Sequence, residues 1–342
     1  MGDRERVMRD KKGAVAREQA ASPGGIRLGL CCQFLDAPIR FRSATHRYVG
    51  RLDGDSRRAY LAAIAADNAG ALAAAVERCA ELGIGAFRIT SGILPLATHP
   101  ESGYALEALD PSGAIAEAFR SAGARARALD VRLSFHPDQF VVLNSEREAV
   151  VASSVGELEF QAVVAQLVGA GTLVLHGGGT AGGMAPALER LERGIDRLSD
   201  QARSRLALEN DDRQFAPSDL VPLARRLGVP LVYDVHHHRC RPDGMSVAEA
   251  TDAAAATWAG GEPWVHISSP RDGWEAPNPR PHADLIDPAD FPAEWLGRRL
   301  TIDVEAKAKE RAVVALRDQL RDALPDALRT TGARVAGGSP RR

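Results

Sequence analysis

The chain has 342 residues, 45% of them hydrophobic and 26% charged, and 43 Lys and Arg against 45 Asp and Glu leave a formal charge of −2. That much apolar material excludes disorder as a description of the whole chain, and the charge balance excludes broad electrostatic wrapping of nucleic acid while leaving room for a local basic cleft. At roughly 100 to 200 residues per domain the length admits two domains, or one α/β barrel of about 250 residues with tails. No apolar run approaches the roughly 20 residues of a membrane helix, and the charged start MGDRERVMRDKKG has no signal-peptide core, so no membrane contact and a cytoplasmic location are expected. Cys31, Cys32, Cys79 and Cys240 form no CxxC pair and are expected to be reduced thiols.

Residues 1–25, charged and without a repeating apolar face, are expected to be a flexible tail. Eight short apolar or β-branched runs follow, each expected to be a strand: Ile26–Cys32, Ile84–Thr90, Val131–His136, Thr172–His176, Arg205–Glu209, Leu231–Val235, Trp264–Ser268 and Leu300–Glu305. Between them, stretches of helical period predict helices over Asp67–Leu82, Ala114–Leu129, Glu146–Ala170, Ala185–Ser204, Ser218–Leu227, Ser246–Trp258 and Lys307–Leu324. The seventh connection, SSPRDGWEAPNPRPHADLIDP, is long and proline-rich and reads as a functional loop. Eight alternating βα units predict one TIM (β/α)8 barrel over 26–328, with a flexible C-terminal tail over 329–342.

In such a barrel the active site lies at the C-terminal ends of the strands. Strands three to eight each end on or near an imidazole or carboxylate: His136, His176, Glu209, Asp234, His266 and Glu305. His237 follows Asp234 by three residues and His282 lies in the long seventh loop, giving eight metal-type ligands aimed at one mouth, enough for two or three divalent ions. A lone His or Asp at a strand end is more often a cap or a loop hydrogen-bonder. Coincidence argues against that reading here, because all nine histidines fall in proposed loops or strand ends and none inside a proposed helix. In the run His236-His237-His238 three adjacent side chains cannot share one ion, and the DxxH spacing from Asp234 selects His237.

The motifs SFHPDQFVVLNS, LVLHGGG, LALENDD, YDVHHH, VHISSP, HADLID and VEAKAKE, in that order, together with FRITSGILPLATH, resemble the UV damage endonucleases over about residues 26–325. The resemblance implies a TIM-barrel phosphodiesterase that nicks DNA immediately 5′ of a UV photoproduct, leaving a 3′-hydroxyl and a 5′-phosphate, and a more distant likeness to the apurinic-site enzyme endonuclease IV. It implies that the same eight ligands hold two or three divalent ions, manganese first, with zinc, cobalt or magnesium as substitutes. On that basis Glu209, Asp234, His266 and Glu305 are expected to carry the catalysis, with Glu209 bridging two ions. We expect Glu209, His136 and His176 on one ion, Asp234, His266 and Glu305 around a second, and His237 with His282 on a third. The pair Gln139 and Phe140 is expected to probe the duplex at the lesion. Arg42, Arg88, Asn144, Lys307 and Lys309 are expected to contact phosphates, with Arg271 and Arg280 as further candidates.

The pattern departs from the family where Trp264 replaces a lysine two residues before the strand-seven His. It departs again where Leu30 and Phe34 replace residues that face DNA. Alternatives are an apurinic-site endonuclease, a metal-dependent sugar isomerase or epimerase, and a non-catalytic barrel that has lost its activity. The partner expected is double-stranded damaged DNA, met by a monomer.

Overall fold

The computed structural model describes residues 25–323, so the C-terminal tail over 329–342, nearly all of the N-terminal one, and the last residue of the helix predicted over Lys307–Leu324 lie outside the described residues. All eight predicted strands are present: β1 (Ile26–Cys31), β2 (Ala86–Ile89), β3 (Arg132–Phe135), β4 (Thr172–His176), β5 (Leu206–Glu209), β6 (Leu231–Asp234), β7 (Trp264–Ile267) and β8 (Leu300–Val304). They pair in sequence order, all parallel, into a closed barrel. Nearly continuous apolar runs such as TLVLH, LALE and LVYD suit strands covered on both faces, and those residues are almost all buried.

Toward the N-terminal end of the barrel Trp264 packs with Ala86, Val174, Ala207, Val232 and Trp258, small side chains on neighbouring strands making room for two indoles. The Arg132 guanidinium lies 4.7 Å from the Trp264 ring, and buried Glu262 accepts from Arg27, Arg132 and Arg299. Leu30 and Phe34 are core residues, with Phe34 stacked on Phe87 at 5.9 Å, so neither faces a ligand.

The helices depart from expectation in three places. The helix predicted over Asp67–Leu82 runs from Gly54 to Glu81, because Asp53 accepts from the Asp55 and Ser56 amides and caps it 13 residues earlier. Its 28 residues are long and apolar enough for a membrane span by composition, yet Leu61, Ile64, Leu72 and Val76 are buried in the fold and Asn68 bonds the Arg42 and Ile93 carbonyls. The Ala185–Ser204 prediction divides into Met184–Ile195 and Asp200–Arg203, where Ser199 caps the second piece. The seventh connection is a long loop, as expected, and holds only the 3-10 turns Pro288–Asp290 and Ala293–Trp295. Finally, His236, His237 and His238 lie in a short helix, Val235–Cys240, and His46 opens another, His46–Val49, so the expectation that no histidine is helical does not hold.

Candidate metal centre

Strand register places the ligands at one height. His176 pairs with Glu209 across β4 and β5, Asp234 with His266 across β6 and β7, and His266 with Asp303 across β7 and β8. Glu209 is fully buried at the centre. Its Oε2 lies 2.8 Å from His136 Nε2 and 3.8 Å from His176 Nε2, and its Oε1 lies 2.9 Å from His266 Nδ1 and 3.5 Å from His237 Nδ1. Two sets of donor atoms close enough to hold an ion result, His136–Glu209–His266 and His176–Glu209–His237, and Glu209 belongs to both.

This grouping separates His136 from His176, which we expected on one ion, and joins each to an imidazole from farther round the barrel. The remaining ligands stand beside these sets. His266 Nδ1 is 3.4 Å from Glu305 Oε1 and 4.0 Å from Asp234 Oδ2, and His282 Nδ1 is 3.7 Å from Glu305 Oε2. All eight expected ligands therefore meet at one mouth.

The DxxH spacing has a local cause. Asp234 ends β6 and caps the helix Val235–Cys240, its Oδ1 accepting from the His237 amide at 2.7 Å. The turn of helix that follows brings the His237 ring back over the strand end, 3.5 Å from the other carboxylate oxygen. That oxygen, Asp234 Oδ2, is buried and has no hydrogen-bond partner among the described residues, and the same holds for His176 Nδ1. Polar atoms left in this state are costly, and a cation among them removes the cost. Oxygen and imidazole donors in this spacing suit Zn, Mn or Co, so the residues fit a resident divalent metal.

Hydrogen bonds outside the ligand set aim the rings. His136 Nδ1 lies 3.1 Å from the Pro137 carbonyl, turning Nε2 toward Glu209, and Ser268 Oγ lies 3.2 Å from His282 Nδ1. The other two members of the triple-histidine run are both buried. His236 Nε2 is 3.1 Å from the Arg280 carbonyl, and His238 lies between Tyr233 Oη and Asp243 Oδ1, each at 2.8 Å.

Without cations the charges on this cluster balance each other. Burial pushes the Glu209 carboxyl up, but the imidazoles of His266, His176 and His136 hold it well below the usual carboxylate range. Glu305 is held low in the same way, against its burial, by Arg88 and His266. Burial opposes charge on His237 and His266, yet Asp234 and Glu209 lift the first to about 9 and Glu209 lifts the second to about 9. His176 moves the other way, pushed down by burial.

The expected DNA-contacting residues divide sharply. Phe140 is 78% exposed and Gln139 is exposed beside it, in the loop after β3, where Phe140 helps line a cleft of about 280 Å³ together with Leu94, Leu96 and Phe160. Lys307 is exposed, Lys309 half-buried, and Arg42 pairs with Asp67 while keeping much of its guanidinium in solvent. Asn144 does not reach solvent. Its amide donates to the Gly179 carbonyl at 2.6 Å and accepts from the Gly179 amide at 3.1 Å, so it ties two loops together and is not available to a phosphate. Arg88 is likewise buried, at 3.1 Å from Asp303 and 2.5 Å from Glu305. Arg280 pairs with Asp212 at 3.2 Å and Arg271 with Asp272 at 2.7 Å.

Two residues were not anticipated. Asn210, next to Glu209, exchanges two hydrogen bonds with the Asp234 backbone and sets the spacing of β5 and β6. Asp303 lies two residues before Glu305 and hence on the same face of β8, a period-two signal visible in LTIDVEAK.

A family described as UV-endonuclease UvdE matches residues 26–330 of the chain. A UV DNA damage endonuclease of Deinococcus radiodurans is 38% identical over 307 residues, 85% of this chain and 94% of the relative. Among solved structures, that of SacUVDE superposes with a TM-score of 0.75 at 25% identity, over 87% of this chain and 99% of the other. Endonuclease IV of Thermus thermophilus shares the fold, with a TM-score of 0.55 at 21% identity over 86% and 99% of the two chains.

Proposed function

The chain belongs to the UV-endonuclease UvdE family, and from that premise we propose that it is a metal-dependent nuclease that nicks duplex DNA immediately 5′ of UV photoproducts, leaving a 3′-hydroxyl and a 5′-phosphate. The observation that carries the metal-dependent reading is Glu209, one buried carboxylate within reach of four imidazoles and common to both donor sets. Divalent ions held by His136, His176, Glu209, Asp234, His237, His266, His282 and Glu305, manganese foremost, would offset charge on the phosphoryl oxygens and acidify a bound water toward attack.

The chain's own groups do the rest. Their spacing by strand register keeps the carboxylates and rings at fixed distances before substrate arrives, so little reorganisation is needed when the phosphodiester docks. Glu209, Asp234 and Glu305 are offset by His237, His266 and Arg88 in the metal-free mouth, so bound cations would supply the net positive charge that a phosphodiester needs to dock. Phe140 and Gln139 project from the loop after β3, where an aromatic ring and an amide can enter a base stack. A step unstacked by a photoproduct costs less to open than an intact one, so insertion by this pair discriminates damage through DNA deformability. Lys307, Lys309 and Arg42 lie on the strand-end side and suit phosphate contacts that fix register on the duplex.

The test is incision of labelled duplexes carrying one cyclobutane dimer, one abasic site or no lesion, with Mn2+ or with chelator. Metal-dependent cutting 5′ of the dimer, lost in Glu209→Gln, is expected. Cutting at the abasic duplex alone would move the reading to an apurinic-site endonuclease, and no cutting of any duplex would reject it.

A further inference from the structure

Beneath the ligand cluster lies a further carboxylate that the reading above leaves without a role. Asp303 sits two residues before Glu305 on β8, fully buried, with its Oδ2 3.7 Å from His266 Nε2 and 3.1 Å from Arg88 Nε. The same guanidinium reaches Glu305 Oε1 through Nη2 at 2.5 Å. His266 offers its two nitrogens in opposite directions, Nδ1 to Glu209 and Glu305, Nε2 to Asp303. Neither His266 Nε2 nor Asp303 Oδ1 has a hydrogen-bond partner among the described residues, and both are buried.

The backbone is shaped around this contact. Arg88 stands on β2 and Asp303 on β8, so their side chains must meet across β1, and the β1 residue in register with Asp303 is Gly29. A methyl group at Gly29 would collide with Asp303 Oδ1 and approach the Ala86 side chain to 3.2 Å. The glycine is thus what lets an arginine from one side of β1 reach a carboxylate from the other. Burial works against charge on Arg88, while Glu305 and Asp303 hold it charged.

We propose that Asp303 is a positioning residue for the metal centre. It fixes the His266 ring through Nε2 so that Nδ1 faces Glu209, and Arg88 spans Asp303 and Glu305 so that the β8 carboxylate and the β7 imidazole keep one relative geometry. A ring nitrogen turned toward a carboxylate fixes the tautomer and raises the basicity of the other nitrogen as a ligand. The 3.7 Å separation becomes a hydrogen bond on a contraction of about 0.8 Å.

The proposal rests on the metal-dependent reading, and its test separates the two. Metal-free full-length protein, Asp303→Asn and Gly29→Ala are titrated with Co2+ and with Mn2+, following the Co2+ visible bands and the heat of binding, alongside circular dichroism of each apoprotein. Asp303→Asn is expected to weaken one class of ion 10- to 100-fold and shift its Co2+ bands while the other class binds as in the wild type. A purely structural role would weaken all classes together or none. Gly29→Ala, which displaces Asp303 without removing its charge, is expected to reproduce the pattern. Should Asp303→Asn fail to fold, Arg88→Lys, too short a fork to span both carboxylates, takes its place with the same expected selectivity. Binding of every class within two-fold of the wild type in the folded variants overturns the positioning role and leaves the metal-dependent reading standing. A wild type that takes up neither ion overturns both.

Discussion

Uptake of metal by the empty protein should be steeply dependent on pH between 7 and 9. The reasoning starts from His237 and His266, lifted from an ordinary 6.5 to about 9 although burial opposes their charge, because Glu209 faces both and Asp234 faces His237. An imidazole must be neutral to bind an ion. At pH 7 each ring is about 100-fold protonated, a cost of roughly 2.7 kcal/mol apiece at 1.36 kcal/mol per pH unit. Each ring lowers the affinity of the ion in its own donor set about 100-fold at pH 7, and each apparent constant should climb about tenfold per pH unit before flattening above 9. Calorimetric Mn2+ titrations at several pH values, in buffers of different ionisation enthalpy, give both the constant and the protons released, expected to approach two at pH 7. An affinity flat from pH 7 to 9 with no proton release would refute the argument.

The same groups set the stability of the metal-free fold, with signs that follow from each shift. The raised histidines add stability that is complete below 6.5 and is lost as pH rises through about 9. Glu209 and Glu305, held low, add stability that is complete above 4.5 and is lost as pH falls through their folded values. His176, pushed down by burial, costs stability below 6.5. The metal-free protein should therefore be most stable near pH 6.5, measured by thermal unfolding in chelator. At a pH and Mn2+ concentration that load the wild type, Glu209→Gln should cut incision by at least about 10³-fold, since it removes the carboxylate shared by both donor sets. Phe140→Ala should leave the unfolding free energy within about 0.5 kcal/mol, because the ring is 78% exposed, yet slow nicking of the dimer duplex more than tenfold. Unfolding in urea should show Asn144→Ala weakened by about 1–3 kcal/mol, since two hydrogen bonds that tie the loops together, each worth about 0.5–1.5 kcal/mol, are lost. A variant of normal stability with weakened DNA affinity would return Asn144 to the DNA surface.

Much of the barrel was legible because parallel strands buried on both faces leave unbroken apolar runs, and their C-terminal ends name the site in advance. What misled was chemistry whose partner lies far along the chain. Asn144 reads as a loop amide until its bonds to Gly179, 35 residues on, are seen. Arg88 reads as a free cation, whereas its partners, Asp303 on β8 and Glu305 just beyond it, stand more than 200 residues later. Helix starts failed for a local reason, the cap at Asp53 being hidden in a charged stretch with no apolar period. The triple histidine was assigned to a loop because the cap that bends it into helix, Asp234, was already counted as a ligand. One oxygen of that carboxylate makes the cap, and the other faces the His237 ring with no hydrogen bond among the described residues.

The indole of Trp264 and the small residues around it fill the barrel below the cluster. An ion held above that plug would exchange through the mouth that a docked duplex would cover. Docked DNA would then act as a cork, slowing ion exchange, and a chelator added after substrate should strip the centre far more slowly than one added before. Order of addition, in other words, is written into the floor of the barrel.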